Sequence, residues 1–264
     1  MIKNTYLQAK IFHLKDLFWA LRSHFFKYLI FWPIDFCFLI ISFFINPYRY
    51  NRKYLLKKGI KGTDEVYAYG ETPLRTFTQI AHEAGVSSQD FFLELGSGRG
   101  RGALWLSFLI GCQVTGIEQM GFFVRINKLM LTFLSFFYFF LLPLNFFIKK
   151  EQSLKKKKIS FIQGDYLALE EPFKEATVIY LYGTNLEEDV LKKLIQKFKV
   201  LNSTNFKTKT NKTEIKAGIK TKIKTKIITI SYALSEYDQS FKTQKEWEVV
   251  FPWGKTKAYL NFLK

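Results

Sequence analysis

The stretch D-F-F-L-E-L-G-S-G-R-G-R-G, Asp90 to Gly102, decides the fold. Asp90 to Leu95 reads as a short buried strand, with Gly96, Gly98, Gly100 and Gly102 crowded into the turn behind it. The apolar run A-L-W-L-S-F-L-I that follows from Ala103 reads as a helix. A glycine turn between strand and helix lets backbone approach a ligand closely and aims a helix N-terminus at it. Downstream the alternation continues. Strands are predicted at Cys112–Ile117, ending at Glu118, at Ile159–Gln163, ending at Gly164-Asp165, at Ala176–Tyr182 and at Ile227–Tyr232. Leu186 to Val200 carries apolar residues at helical spacing, with Glu187, Glu188 and Asp189 first and four lysines after. That charge order suits the helix dipole. Trp247–Phe251 and Lys257–Phe262, joined by P-W-G-K, form a closing hairpin. The reading is an α/β fold, a seven-stranded, mostly parallel sheet with a C-terminal antiparallel hairpin. Ligands of such a sheet sit at the carboxyl ends of its strands.

The turn alone is ambiguous. Gly98 to Ala103 also reads as G-x-G-x-x-A, with Glu118 twenty residues after Gly98, the spacing of a dinucleotide site. Three carboxylates tip the balance. Glu94 lies two residues before Gly96, where it could meet a ligand's ammonium. Glu118 is placed to accept both hydroxyls of a ribose. Asp165 could accept from an adenine amino group, with Tyr166 beside the ring. Acids at three successive strand ends suit a cationic, adenosine-bearing ligand better than a pyrophosphate.

E-L-G-S-G-R-G, G-I-E-Q and G-D-Y resemble the cofactor motifs of class I, Rossmann-like methyltransferases that use S-adenosylmethionine (SAM). The resemblance covers about residues 64–128, 159–200 and 227–264. It implies SAM as cofactor, held by Glu94, Gly96, Ser97, Gly98, Gly100, Glu118, Gln119, Asp165 and Tyr166. Upstream, Tyr69-Gly70-Glu71-Thr72-Pro73 is similar to the pre-motif loop of the non-SET histone lysine methyltransferases. It is similar as well to the membrane-bound lysine methyltransferases of the ATP synthase c subunit. By that resemblance Tyr69 and Thr72 help cover the cofactor, and the acceptor is a protein lysine. One departure stands out. Where the histone enzymes carry an N-N-F-type motif after strand four, this chain has Tyr182-Gly183-Thr184-Asn185. Tyr182 and Asn185 are the candidate catalytic residues, with Tyr182 positioning the acceptor. No metal is called for, and His13, His24 and His82 lie outside the motifs.

The 264 residues carry a net charge of +18, unevenly spread. Residues 1–62 are net +9, 149–158 net +5 and 202–226 net +7, so everything between them is net −3. No specific nucleic-acid partner is expected of such a chain. Of its 40 basic residues 33 are Lys, which an AT-rich genome favours; codon bias explains the choice of Lys but not its clustering. Two of the basic segments flank apolar stretches, Phe25–Asn46 and Leu129–Ile148, which suits a lipid surface. The first is long enough to cross a bilayer. Asp35, just after Pro33, is instead read as the N-cap of a second, shorter helix, with 36–45 dipping into the membrane; a full span is the rival. The second stretch falls between two strands of one sheet, so both of its ends emerge on one side. It is a re-entrant hairpin broken at Pro143, an in-plane element or an extra core helix. The Lys/Thr-rich 202–226 reads as a flexible loop. Cys37 and Cys112 are too few for a disulfide scaffold.

The organisation expected is therefore a membrane-associated N-terminal segment, 1–62, and a methyltransferase domain, 63–264, facing the cytoplasm. The insertion at 129–158 and the loop at 202–226 lie within the domain. Expected partners are membrane lipid and a protein substrate. A lipid or small-molecule methyltransferase, a nicotinamide-dependent oxidoreductase and a cofactor-binding but inactive membrane scaffold are the alternatives.

Overall fold

The computed structural model describes residues 2–59, 69–140, 159–184, 186–204 and 224–264. Three helices open the chain: α1 (Ile2–Ser23), α2 (Phe25–Phe44) and α3 (Pro47–Lys57). Helix α4 (Leu74–Glu83) precedes β1 (Phe91–Leu95), α5 (Arg101–Ile110), β2 (Gln113–Glu118) and α6 (Gly121–Phe140). After these come β3 (Ile159–Gln163), α7 (Glu171–Glu175), β4 (Val178–Leu181) and α8 (Glu188–Thr204). The chain closes with β5 (Lys226–Ile230), β6 (Phe241–Phe251) and β7 (Gly254–Leu263).

The seven strands form one sheet in the order β3-β2-β1-β4-β5-β7-β6. The first five run parallel and β7 is antiparallel to both β5 and β6. Strand β1 is central, and all five of its residues are buried, as a strand covered on both faces requires. Its side chains alternate between two cores. Phe92 joins Trp105, Tyr180 and Phe77 on the side of α4 and α5, while Leu93 and Leu95 join Phe173, Leu194 and Phe198 under α7 and α8. Glu94 shares the Phe92 face and is paired in register with Tyr180 of β4.

The predicted strands and helix are present, and β6 is longer than its pattern suggested. It starts at Phe241, six residues before the predicted Trp247, with a bulge between Thr243 and Lys245. Lys242, Lys245 and Glu246 hide the alternation; exposed charge is how an edge strand avoids pairing with other chains.

The first apolar stretch is corrected. It forms one helix, Phe25–Phe44, with Pro33 inside it, rather than two. Asp35 is no N-cap. It is buried, and its carboxylate takes Arg101 Nε at 2.6 Å, His13 Nε2 at 2.8 Å and Tyr28 Oη at 2.6 Å. The reason is tertiary packing. Tyr28, Phe31, Ile34 and Phe38 make a stripe that buries against α5, where the Phe31 and Trp105 ring centroids stand 5.2 Å apart. That packing holds the helix on both sides of the proline, which otherwise costs a turn its hydrogen bond. Arg101 also reaches Asp16 of α1 at 3.1 Å, and Asp16 caps α4 by accepting from the Leu74 amide at 2.6 Å. Helices α1 and α2 thus share the core of the α/β unit.

Of the second apolar stretch, residues 129–140 continue α6; the expected break at Pro143 lies outside the described residues, as does most of 202–226.

Candidate active site

The glycine turn is tied down by backbone. Gly96 and Ser97 both donate to the Ile117 carbonyl, at 2.9 and 3.0 Å, which fastens the end of β1 to β2. Gly98 has φ +53 and Gly100 φ +69, a region that side chains disfavour. Both are also hemmed in. A Cβ on Gly98 would collide with Tyr69 Oη, and one on Gly100 would stand 2.6 Å from the Phe161 ring.

Two of the predicted carboxylates flank this turn. Glu118 accepts from the Gly98 amide at 2.8 Å and the Met120 amide at 2.9 Å, one on each oxygen. A carboxylate has about four acceptor sites, so both oxygens keep capacity for hydroxyls. Burial pushes the Glu118 carboxyl up while the Met120, Gly98 and Gln119 amides pull it down, and burial prevails. Glu94 differs. Its Oε2 is buried and has no hydrogen-bond partner among the described residues. Burial first, and then the charges of Glu71 and Glu118, hold its carboxyl well above the usual range. Ser97 Oγ is likewise buried and unpartnered. An acid left this way suits a cationic ligand group that the chain does not supply.

The third carboxylate is brought alongside. The Gly164 amide donates to the Glu118 carbonyl at 3.0 Å, so the loop after β3 starts beside the end of β2. Asp165 is exposed and accepts from the Leu167 amide at 2.9 Å; Tyr166 is half-buried, its hydroxyl pushed up to about 12 chiefly by burial. Gln119 is half-buried, and its side-chain oxygen accepts from Lys58 Nζ at 3.4 Å.

The pre-motif loop lies over the turn. Tyr69 Oη donates to Glu71 at 2.7 Å and accepts from the Arg99 amide at 3.1 Å. Glu71 takes the Arg99 guanidinium in a two-point grip, both contacts 2.6 Å. Burial alone would raise the Glu71 carboxyl, but Arg99 brings it down to about 2. Thr72 Oγ1 is 2.6 Å from Tyr180 Oη, which places it above the strand that pairs with Glu94. Tyr182, just past β4, packs under Gly70 and accepts from Trp253 Nε1 at 2.6 Å. Asn185 lies outside the described residues.

Sequence reasoning missed several supporting residues. Asn127 of α6 is wholly buried and donates to the Gly98 carbonyl at 3.0 Å. Arg99 and Arg101, inside the glycine run, were given no role by the sequence, and both are buried. Their alternation with Gly98 and Gly100 was the available signal: one arginine goes to the pre-motif loop and the next to α1 and α2. Between α1 and the pre-motif loop is a small cleft, partly open to solvent. Lys10, His13, Tyr48, Glu71, Arg99 and Pro252 are among the residues that line it.

A seven-stranded sheet in this order, with a glycine turn at the carboxyl end of its central strand and acids after β2 and β3, defines a class I SAM-dependent methyltransferase. The family model of the histone methylation protein DOT1 matches residues 50–247, and the chain belongs to that family. No individual curated protein matches it in sequence. Among solved structures it is similar to an RNA methyltransferase from Salinibacter ruber in complex with S-adenosylhomocysteine, at 18% identity and TM-score 0.45. That match covers 73% of this chain and 92% of the other. A putative RNA methyltransferase from Pyrococcus horikoshii matches at 12% identity and TM-score 0.44, over 77% of this chain and 90% of its own.

Proposed function

We propose that this methyltransferase works at a membrane surface and transfers the methyl group to a lysine side chain of a protein. The observation that carries the site assignment is the unpartnered Glu94 Oε2 beside the glycine turn. Glu94 meets the cofactor's ammonium, Glu118 its ribose hydroxyls, and Asp165 with Tyr166 its adenine. Gly96, Ser97, Gly98 and Gly100 form the floor, Gln119 flanks the ribose, and Tyr69 and Thr72 close the site from above. The bound sulfonium supplies an electrophilic methyl group for in-line displacement.

The chain's own task is then to orient a neutral amine and exclude water. Tyr182, whose hydroxyl burial keeps protonated, stands on the acceptor side between Gly70 and Trp253, with Asn185 in the loop that follows. The match to a histone methylation family and the Y-G-E-T loop support a protein lysine as acceptor. The apolar surfaces of α1 and α2 support the membrane location, and a cytosolic cofactor would put the site on the cytoplasmic side. The cleft between α1 and the pre-motif loop, open beside the apolar α1, supports one second reading, a lipid acceptor whose polar headgroup meets Lys10, Glu71 and Arg99.

Methyl-labelled SAM incubated with isolated membranes and the full chain, then fractionated into protein and lipid, tests the acceptor. Label in lysine residues of the protein fraction is expected. Label confined to lipid establishes the second reading, and label in neither fraction contradicts both.

A further inference from the structure

Helix α2 has the length and composition of a membrane span, but its neighbours fix how it can lie. Near its start Lys27 Nζ donates to the Leu109 carbonyl at the end of α5, and at its middle Asp35 grips Arg101 at the start of α5. The two helices therefore run antiparallel along the whole of α5. Leu104, Trp105 and Leu106 of α5 are fully buried in the α/β unit. Twenty helical residues measure about 30 Å, the thickness of the hydrocarbon layer. If α2 crossed it, Arg101 and the glycine turn would be carried to mid-bilayer, where charge and irregular backbone are least tolerated.

The face of α2 turned away from α5 is apolar and open. Phe26, Leu29, Trp32, Phe36, Ile40 and Phe43 repeat at three- and four-residue steps and are exposed. Leu7, Ile11, Leu14 and Phe18 make the same stripe on α1, and Leu129, Phe133 and Phe136 on α6. Exposed apolar stripes of this kind, on α2 and on the α1 and α6 helices that touch it, mark an interaction surface. Its charge says with what. The only acids of α1–α3, Asp16 and Asp35, are both buried against Arg101. Every exposed charge on the described side chains of these helices is basic, from Lys15 and Arg22 to Lys57 and Lys58.

Resting on the membrane association proposed above, we infer that α1, α2 and α6 form an in-plane platform on an anionic bilayer and that α2 does not cross it. The apolar stripes enter one leaflet and the lysines meet its phosphates. The pairs from Arg101 to Asp16 and Asp35 then seat the glycine turn directly on that platform.

Flotation of the full chain with sealed vesicles tests this. It should float with phosphatidylcholine–phosphatidylglycerol vesicles and less with phosphatidylcholine alone. The triple variant Phe26→Glu, Phe36→Glu, Phe43→Glu should lose binding by about tenfold or more. Its S-adenosylhomocysteine affinity and melting temperature should not change. Ser23→Cys, just before α2, and Lys53→Cys, in α3 beyond its other end, should both react with a membrane-impermeant maleimide added outside, read by peptide mass mapping. Reaction at one end only overturns the in-plane placement and leaves membrane association standing. No flotation contradicts both. Flotation that the three glutamates leave unchanged, or a dimer through this face that persists with vesicles, overturns the platform. None of these results touches the cofactor site, which S-adenosylhomocysteine titration of the same samples reads separately.

Discussion

Asp35 and Glu94 are both buried acids on the same side of the sheet, and the chain treats them in opposite ways. Asp35 is answered from within: Arg101, His13 and Tyr28 all reach its carboxylate. Glu94 keeps a buried oxygen with no partner among the described residues, and burial first, then two nearby carboxylates, raise its pKa. A buried charge that the chain neutralises builds structure, and one that it leaves open builds a site. The two acids should therefore fail differently when removed.

The largest effect is expected at Asp35. Asp35→Ala leaves Arg101 buried with only Asp16, and should cost about 3–5 kcal/mol of stability in urea unfolding followed through tryptophan fluorescence. A loss of under about 1 kcal/mol would mean that the network contributes little. Glu94→Gln should do the reverse, leaving stability unchanged or higher while weakening S-adenosylhomocysteine by about 10- to 100-fold, as loss of a charged hydrogen bond predicts. Gly98→Asp separates site from scaffold further, since the added side chain meets Tyr69 Oη and φ +53 is unfavourable to it. Cofactor binding should vanish, and unchanged affinity would show that the turn is not the site.

Titration sharpens the contrast between Glu94 and Glu71. The Glu71 carboxyl is depressed from 4.5 to about 2, so its stabilisation is present above pH 4.5 and lost as pH falls through about 2. The Glu94 carboxyl is raised above 4.5, so what it adds to folding is present below 4.5 and lost as pH rises through the raised value. A cationic ligand group prefers the ionised form. S-adenosylhomocysteine affinity should thus climb with pH over the interval in which Glu94 ionises, and Glu94→Gln should flatten that climb. The smallest effect belongs to Trp253→Phe, which removes one hydrogen bond to the Tyr182 hydroxyl. It should lower turnover severalfold, at about 0.5–1.5 kcal/mol, with cofactor affinity unchanged.

The same contrast shows what could be read from sequence. The positions of Glu94, Glu118 and Asp165 at or beside strand ends were legible, because strand ends follow from local pattern. The mostly parallel sheet with its closing antiparallel hairpin was legible for the same reason, since strands alternating with helices leave few ways to build a sheet. Asp35 was misread because its partners are distant in the chain. Arg101 lies 66 residues on, and nothing local says that a charge after a proline faces another helix rather than caps its own. Arg99 with Glu71 and Asn127 with Gly98 were hidden likewise, 28 and 29 residues apart. The start of β6 was missed because edge-strand charges disguise its alternation.

Calorimetric titration of the full chain with S-adenosylhomocysteine, and separately with NAD, most directly tests the claim that the open carboxylate at Glu94 marks a SAM site. S-adenosylhomocysteine should bind one to one, Glu94→Gln should weaken it without lowering the melting temperature, and NAD should give no heat. Binding of NAD alone, or S-adenosylhomocysteine binding that Glu94→Gln leaves intact, would contradict the claim.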